Sequence, residues 1–225
     1  MDLTQSLIIH QVEEDKPVEI KFYENTHKYN ILIKTAIEKV LTKYNRENLF
    51  DVIYFCIKEL IANAILTNVK SLFFEKNNLN VNSISDYVAG ITRFKAMLES
   101  RGCRKYYNEL SKSDRWTKFK ATHSKDGIKF EVTNNSPIFD IEEKQIRMKL
   151  QKSMIYVELL DDNYLKENNL YDPEDEKLGL ALIAILMRKA NLDVNLFRIG
   201  TSNGITLSRI EIPLSKEYKS SRQKK

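Results

Sequence analysis

The stretch from Asp51 to Phe74 constrains the fold more than any other part of the chain, because it is apolar almost all round. A helix of this kind has to be buried, so the other elements must pack around it. Its polar side chains recur at intervals of four, four and three residues, which places them in one narrow stripe along the helix: Glu59, Asn63, Thr67 and Lys70. The stripe is either a solvated face or a set of polar groups suited to a metal and a nucleotide.

Composition and charge argue against several classes of protein. The chain has 225 residues and a net charge of +5, but much of that charge lies in residues 216–225 and the body is close to neutral. Charge alone therefore does not indicate a large nucleic-acid-binding surface, and we expect no nucleic-acid partner. Cys56 and Cys103 lie far apart, and no spacing typical of a metal site or a disulfide occurs. No uncharged apolar run is long enough to span a membrane and no signal peptide is recognisable, so we expect a cytoplasmic protein.

Local patterns predict strands and helices along the whole chain. Alternating apolar residues predict strands at 18–22, 116–122, 128–133, 194–199 and 205–214. The pair Asp126-Gly127 predicts a hairpin between the second and third of these strands. Helical spacing predicts helices at 27–44, 51–74, 83–110, 141–165 and 178–190.

The central helix carries a motif that resembles the N-box of histidine-kinase-like (GHKL, Bergerat-fold) ATPases. The motif is Glu59-Leu60-Ile61-Ala62-Asn63-Ala64. In that family the Asn ligates magnesium on the triphosphate, and the Glu, where it is catalytic, polarises a water. The resemblance therefore implies that Asn63 is a magnesium and nucleotide ligand and that Glu59 is the catalytic residue.

The end of the strand at 128–133 is similar to the G1 box of the same family. There a strand leads into Asp-x-Gly-x-Gly, and the Asp accepts a hydrogen bond from the adenine amino group. Here Asn134 stands at the Asp position, while Ser136 and Ile138 stand at the glycine positions. A carboxamide oxygen can still accept from an amino group, although without charge. The alternative is a plain surface turn, which Asn-Asn-Ser-Pro forms readily.

Two later motifs complete the resemblance. Leu178-Gly179-Leu180 at the start of an apolar helix is similar to the core of the G2 box, where glycines let backbone N–H groups approach the phosphates. Here Lys177 occupies a glycine position and an acidic run, 174–176, precedes it. Asn203-Gly204-Ile205-Thr206 looks like the closing strand, with Thr206 where a phosphate-contacting Thr is expected. The resemblance implies that Gly179 and Thr206 contact the nucleotide.

The resemblance implies a two-layer α/β sandwich, in which helices cover one face of a mixed, mostly antiparallel sheet. One domain would span residues 1–215 with a helical insertion at about 77–115, followed by a basic disordered tail at 216–225. The implied function is a divergent ATP-binding domain in bacterial signalling that uses Mg²⁺ and ATP and acts on or sequesters a protein partner. Because the glycines are replaced, the alternative is a pseudo-ATPase that serves as a scaffold or a homodimerisation module, and little or no ATP turnover is expected.

Overall fold

The computed structural model describes residues 4–100, 102–155 and 178–221. The helices of these residues are α1 (Gln5–Glu13), α2 (His27–Lys43), α3 (Phe50–Lys76), α4 (Ile84–Glu99), α5 (Arg104–Leu110), α6 (Asp140–Ile155) and α7 (Leu178–Lys189). The strands are β1 (Val18–Phe22), β2 (Thr117–Ser124), β3 (Gly127–Asn134), β4 (Phe197–Ser202) and β5 (Ile205–Pro213). The predicted two-layer α/β sandwich is confirmed.

The five strands form one sheet in the order β1-β2-β3-β5-β4, and each of the four pairings is antiparallel. Side chains alternate between the two faces of a strand, so residues paired across the sheet share a face. One cross-strand row consists of buried apolar residues that belong to the core: Val18, Ala121, Phe130, Ile210 and Phe197. The predicted hairpin is present, with Ser124 paired to Gly127.

Helix α3 is the centre of the helical layer. It packs against β2 and β3 and contacts α2, α5 and α7. Its apolar side chains are buried on several sides, including Ile57, Leu60 and Val69, and burying each such side chain contributes about 1.5–3 kcal/mol. The helix ends where Asn78 adopts a left-handed conformation with φ of 52°, a conformation that Asn tolerates well.

Several predicted boundaries differ from the structure. Helix α1 was not predicted, and the helix predicted at 83–110 is divided into α4 and α5. The strand predicted at 194–199 begins only at Phe197, because Asp193 accepts a hydrogen bond from the Asn195 backbone and holds Val194–Leu196 in a 3-10 turn. The helix predicted at 141–165 is seen as α6, and its residues after Ile155 lie outside the described residues.

The C-terminal segment contacts the sheet through one aromatic residue. The Tyr218 hydroxyl donates a hydrogen bond of 2.6 Å to the buried carboxylate of Glu211. The Tyr218 ring covers Gly127 so closely that a Cβ at that glycine would lie 2.2 Å from it. The described part of the predicted tail, residues 216–221, therefore includes a residue fixed to β5, whereas the sequence predicted a solvated segment.

Candidate functional site

A cleft lies between α3 and the strand ends of β3, β4 and β5. Its free volume is about 50 Å³. Three residues that the motifs single out, although far apart in the chain, line this one cleft: Asn63, Asn134 and Thr206. Further side chains complete the lining, namely Ala64, Leu66, Thr67, Lys70, Ile138, Glu142, Ile146, Leu180, Ile199 and Ser208.

The wall formed by α3 carries most of the polar stripe. Asn63, Thr67 and Lys70 all line the cleft, and the Thr67 hydroxyl donates to the Asn63 carbonyl at 2.9 Å. The side-chain Nδ2 of Asn63 is buried and has no hydrogen-bond partner among the described residues. An unsatisfied buried donor of this kind costs about 1–3 kcal/mol, so a ligand or water that accepts from Asn63 would be stabilised here.

Asn134 is held in place by hydrogen bonds at the end of β3. Its Nδ2 donates to Asn68 Oδ1 at 3.1 Å and to the Ser136 carbonyl at 3.0 Å. Asn68 in turn donates to the Trp116 carbonyl at 3.0 Å. Asn134 is 1% exposed and Asn68 is fully buried, so their hydrogen bond links the end of β3 to α3 inside the protein. The NH₂ group of Asn134 makes both of its hydrogen bonds within the protein.

Thr206 ties the loop after β3 to β5. Its hydroxyl donates to the Ser136 carbonyl at 2.8 Å and lies 3.0 Å from the Thr201 hydroxyl. The Thr201 hydroxyl accepts from the Ile138 backbone N–H at 3.1 Å. These bonds fix the loop so that the Ile138 side chain lies in the cleft, at a position where the resembled family has a glycine.

A buried ion pair joins α3 to α6 at the cleft wall. Lys70 Nζ lies 2.6 Å from Glu142 Oε1, and the two residues are only 7% and 5% exposed. The Tyr87 hydroxyl of α4 also contacts Oε1, at 3.5 Å. Buried charges require such a partner, and removing one member of a buried pair costs about 3–5 kcal/mol.

Of the other two residues singled out in the sequence, Glu59 does not line the cleft, and Gly179 is next to a residue that does. Glu59 lies one turn before Asn63 on α3 and is partly exposed. Gly179 lies in the first turn of α7, directly before the lining residue Leu180. Among the residues that the structure describes, no three His, Cys, Asp or Glu side chains lie close enough together to hold a metal ion.

Sequence reasoning missed two residues of the site. Asn68 was overlooked because it lies among apolar positions of the central helix, although an Asn in such a place is itself a signal of a buried hydrogen bond. Glu142 lies in the first turn of α6, where acidic residues are common because they suit the helix dipole. No local pattern reveals that it meets Lys70.

Comparisons with known proteins identify one relative and no family. No family model matches the chain, and no solved structure does. An uncharacterized protein of Treponema pallidum (strain Nichols) is 24% identical over 203 residues, which cover 90% of this chain and 39% of the relative. The chain thus spans about two fifths of the length of that relative. In the described residues, no helix is both long and apolar enough to cross a membrane.

Proposed function

We propose that this chain is a divergent histidine-kinase-like domain whose cleft binds an adenine nucleotide with magnesium, and that it acts on a protein partner in bacterial signalling. The observation that carries the proposal is the convergence of Asn63, Asn134 and Thr206 on one cleft. The resemblance assigns each of them to the nucleotide, and nothing in their local sequence requires them to meet.

The donors and acceptors of the cleft support this proposal in part. Asn63 can offer its carboxamide oxygen to a magnesium ion that arrives with phosphate, because Mg²⁺ keeps most of its waters and needs few protein ligands when a phosphate is present. The unpartnered Nδ2 of Asn63 can donate to a phosphate oxygen. Asn134 would face the base only through its oxygen, because its Nδ2 already makes two hydrogen bonds.

The volume of the cleft means that binding requires opening. A free volume of about 50 Å³ is far below the range of about 300–1,000 Å³ that is usual for ligand sites. The Ile138 side chain lies in the space between α3 and the loop after β3. The free energy needed to open the cleft reduces the free energy of binding, so we expect modest affinity for a nucleotide. We also expect little or no turnover, because Glu59 does not line the cleft.

Calorimetric titration with Mg-ATP tests the proposal. We expect the wild-type protein to bind, and Asn63→Ala to weaken binding about tenfold, which corresponds to about 1.4 kcal/mol. Asn108→Ala is the matched control, because Asn108 is an exposed residue of α5 that lies outside the cleft. Equal binding by wild type and Asn63→Ala would contradict the proposed role of Asn63.

The small cleft favours a second candidate function, a scaffold or homodimerisation module that keeps the fold without the nucleotide. The occupied cleft is the observation behind it. If millimolar Mg-ATP and Mg-ADP produce no binding signal with the wild-type protein, the nucleotide proposal fails and the scaffold candidate takes its place. Sedimentation would then be the next measurement, with a dimer as the expected result.

A further inference from the structure

Glu142 is the one carboxylate among the described residues that line the cleft. Lys70 and Tyr87 both contact its Oε1, at 2.6 and 3.5 Å. Both donors contact the carboxylate through Oε1, and no other donor among the described residues contacts Oε2. Oε1 is therefore bound to the protein, and among the described residues Oε2 keeps its capacity to accept a hydrogen bond.

The contacts of Glu142 also fix its position. The Lys70 ammonium, itself buried and lying 5.7 Å from the centre of the Phe139 ring, is paired with the Glu142 carboxylate. Lys70 belongs to α3 and Tyr87 to α4, so the first turn of α6 is anchored to two other helices. A carboxylate acceptor held in place in this way is well suited to select ligands that carry an N–H donor.

We propose that Glu142 is the base-recognition residue of the cleft, and that its Oε2 accepts a hydrogen bond from an exocyclic amino group of the ligand. This inference rests on the proposed nucleotide binding. The position at which the resembled family has a carboxylate is Asn134, whose Nδ2 is committed to Asn68 and Ser136. Glu142, contributed by α6, supplies the charged acceptor that Asn134 cannot.

A change of base preference tests this role. In Glu142→Gln the amide oxygen stays with Lys70, which can only donate, so an NH₂ donor replaces Oε2. ATP and ITP differ at position 6 of the base, where ATP carries an amino donor and ITP a carbonyl acceptor. We expect the wild-type protein to prefer Mg-ATP over Mg-ITP about tenfold, and Glu142→Gln to abolish or reverse that preference.

Two further variants keep the test decisive. Glu143→Gln is the matched control, because Glu143 pairs with Arg147 at 2.6 Å and does not line the cleft; its ATP-to-ITP ratio should equal that of the wild type. If Glu142→Gln does not fold, Glu142→Asp replaces it. The shorter side chain moves the carboxylate oxygen away from the amino group of the base. ATP binding should therefore weaken by several-fold, while ITP binding stays unchanged.

The outcomes separate this inference from the proposed function. If Mg-ATP binds and Glu142→Gln leaves the ATP-to-ITP ratio at its wild-type value, Glu142 does not read the base and only this inference is overturned. If no variant and no nucleotide produces binding, both the inference and the proposed function are overturned. A reversed ratio in Glu142→Gln supports both.

Discussion

At the scale of single residues, the polar groups of the cleft divide into those that hold the fold and those that remain available to a ligand. Three side chains donate their hydrogen bonds to other protein atoms, namely Asn68, Asn134 and Thr206. Two atoms have no hydrogen-bond partner among the described residues, the donor Nδ2 of Asn63 and the acceptor Oε2 of Glu142. Ligand recognition should therefore depend on Asn63 and Glu142 more than on Asn134.

Asn134→Asp should destabilise the protein. The change replaces the Nδ2 donor by a carboxylate oxygen, which would face two acceptors, Asn68 Oδ1 and the Ser136 carbonyl. Two hydrogen bonds are lost and a buried charge gains no partner, so we expect a loss of about 3 kcal/mol or more in the free energy of unfolding. Denaturant titration of this variant measures the loss.

The control for this prediction is Asn108→Asp, the same substitution at an exposed residue of α5. It should leave the free energy of unfolding within about 0.5 kcal/mol of the wild type. An Asn134→Asp variant that is as stable as the wild type and binds ATP more tightly would instead mean that Asn134, and not Glu142, reads the amino group of the base.

At the scale of elements, one buried histidine links β2 to the residue that follows α2, Tyr44. His123 Nδ1 lies 3.0 Å from the Tyr44 hydroxyl and 3.8 Å from Asp15, which pairs with Lys43 at 2.7 Å. Burial, and then the nearby Lys43 ammonium, lower the pKa of His123 below its ordinary value. His123 is therefore neutral in the folded protein at pH values where it is protonated in the unfolded chain.

The stability of the protein should fall as the pH is lowered from 8 to 5. The unfolded histidine has a pKa of about 6.5, so below that pH the unfolded state binds a proton that the folded state binds less readily. The stabilisation is complete above about pH 6.5 and is lost as the pH falls towards the folded pKa. His123→Phe, which cannot titrate, should flatten this part of the stability curve.

His27→Gln is the control for the pH series, because His27 is exposed at the start of α2. Its curve should follow that of the wild type. The Asp15 carboxyl, whose pKa is lowered chiefly by its hydrogen bond to Lys43, changes stability only near pH 4 and below. A wild-type curve that His123→Phe leaves unchanged between pH 5 and 8 would exclude His123 as the cause.

The elements that the sequence predicts well are those with a strong local pattern. The β2–β3 hairpin has alternating strands and an Asp-Gly turn, and α3 has a long apolar run. Helix α1 was missed because only Ile8 and Val12 are buried in it, which leaves a weak pattern. The Lys70–Glu142 pair could not be predicted, because it depends on how two distant helices pack.

At the scale of the whole molecule, α3 connects the core to the cleft. Its apolar sides pack against the sheet and the neighbouring helices, and its polar stripe runs from partly exposed Glu59 to buried Lys70. The motifs in the sequence predicted that Asn63, Asn134 and Thr206 belong to one site. In the fold, all three side chains line the same cleft. The size of the cleft could not be predicted, because it depends on the packing of Ile138 and α6.

The central claim is that this cleft opens to admit a nucleotide, and methyl NMR of isoleucine-labelled protein tests it most directly. Ile138, Ile146 and Ile199 line the cleft, whereas Ile8 of α1 and Ile84 of α4 do not and serve as internal controls. On titration with Mg-ATP we expect saturable shifts of the three cleft methyl signals and none at Ile8 or Ile84. Cleft signals that stay unchanged at millimolar Mg-ATP, or shifts confined to Ile8 and Ile84, would contradict the account.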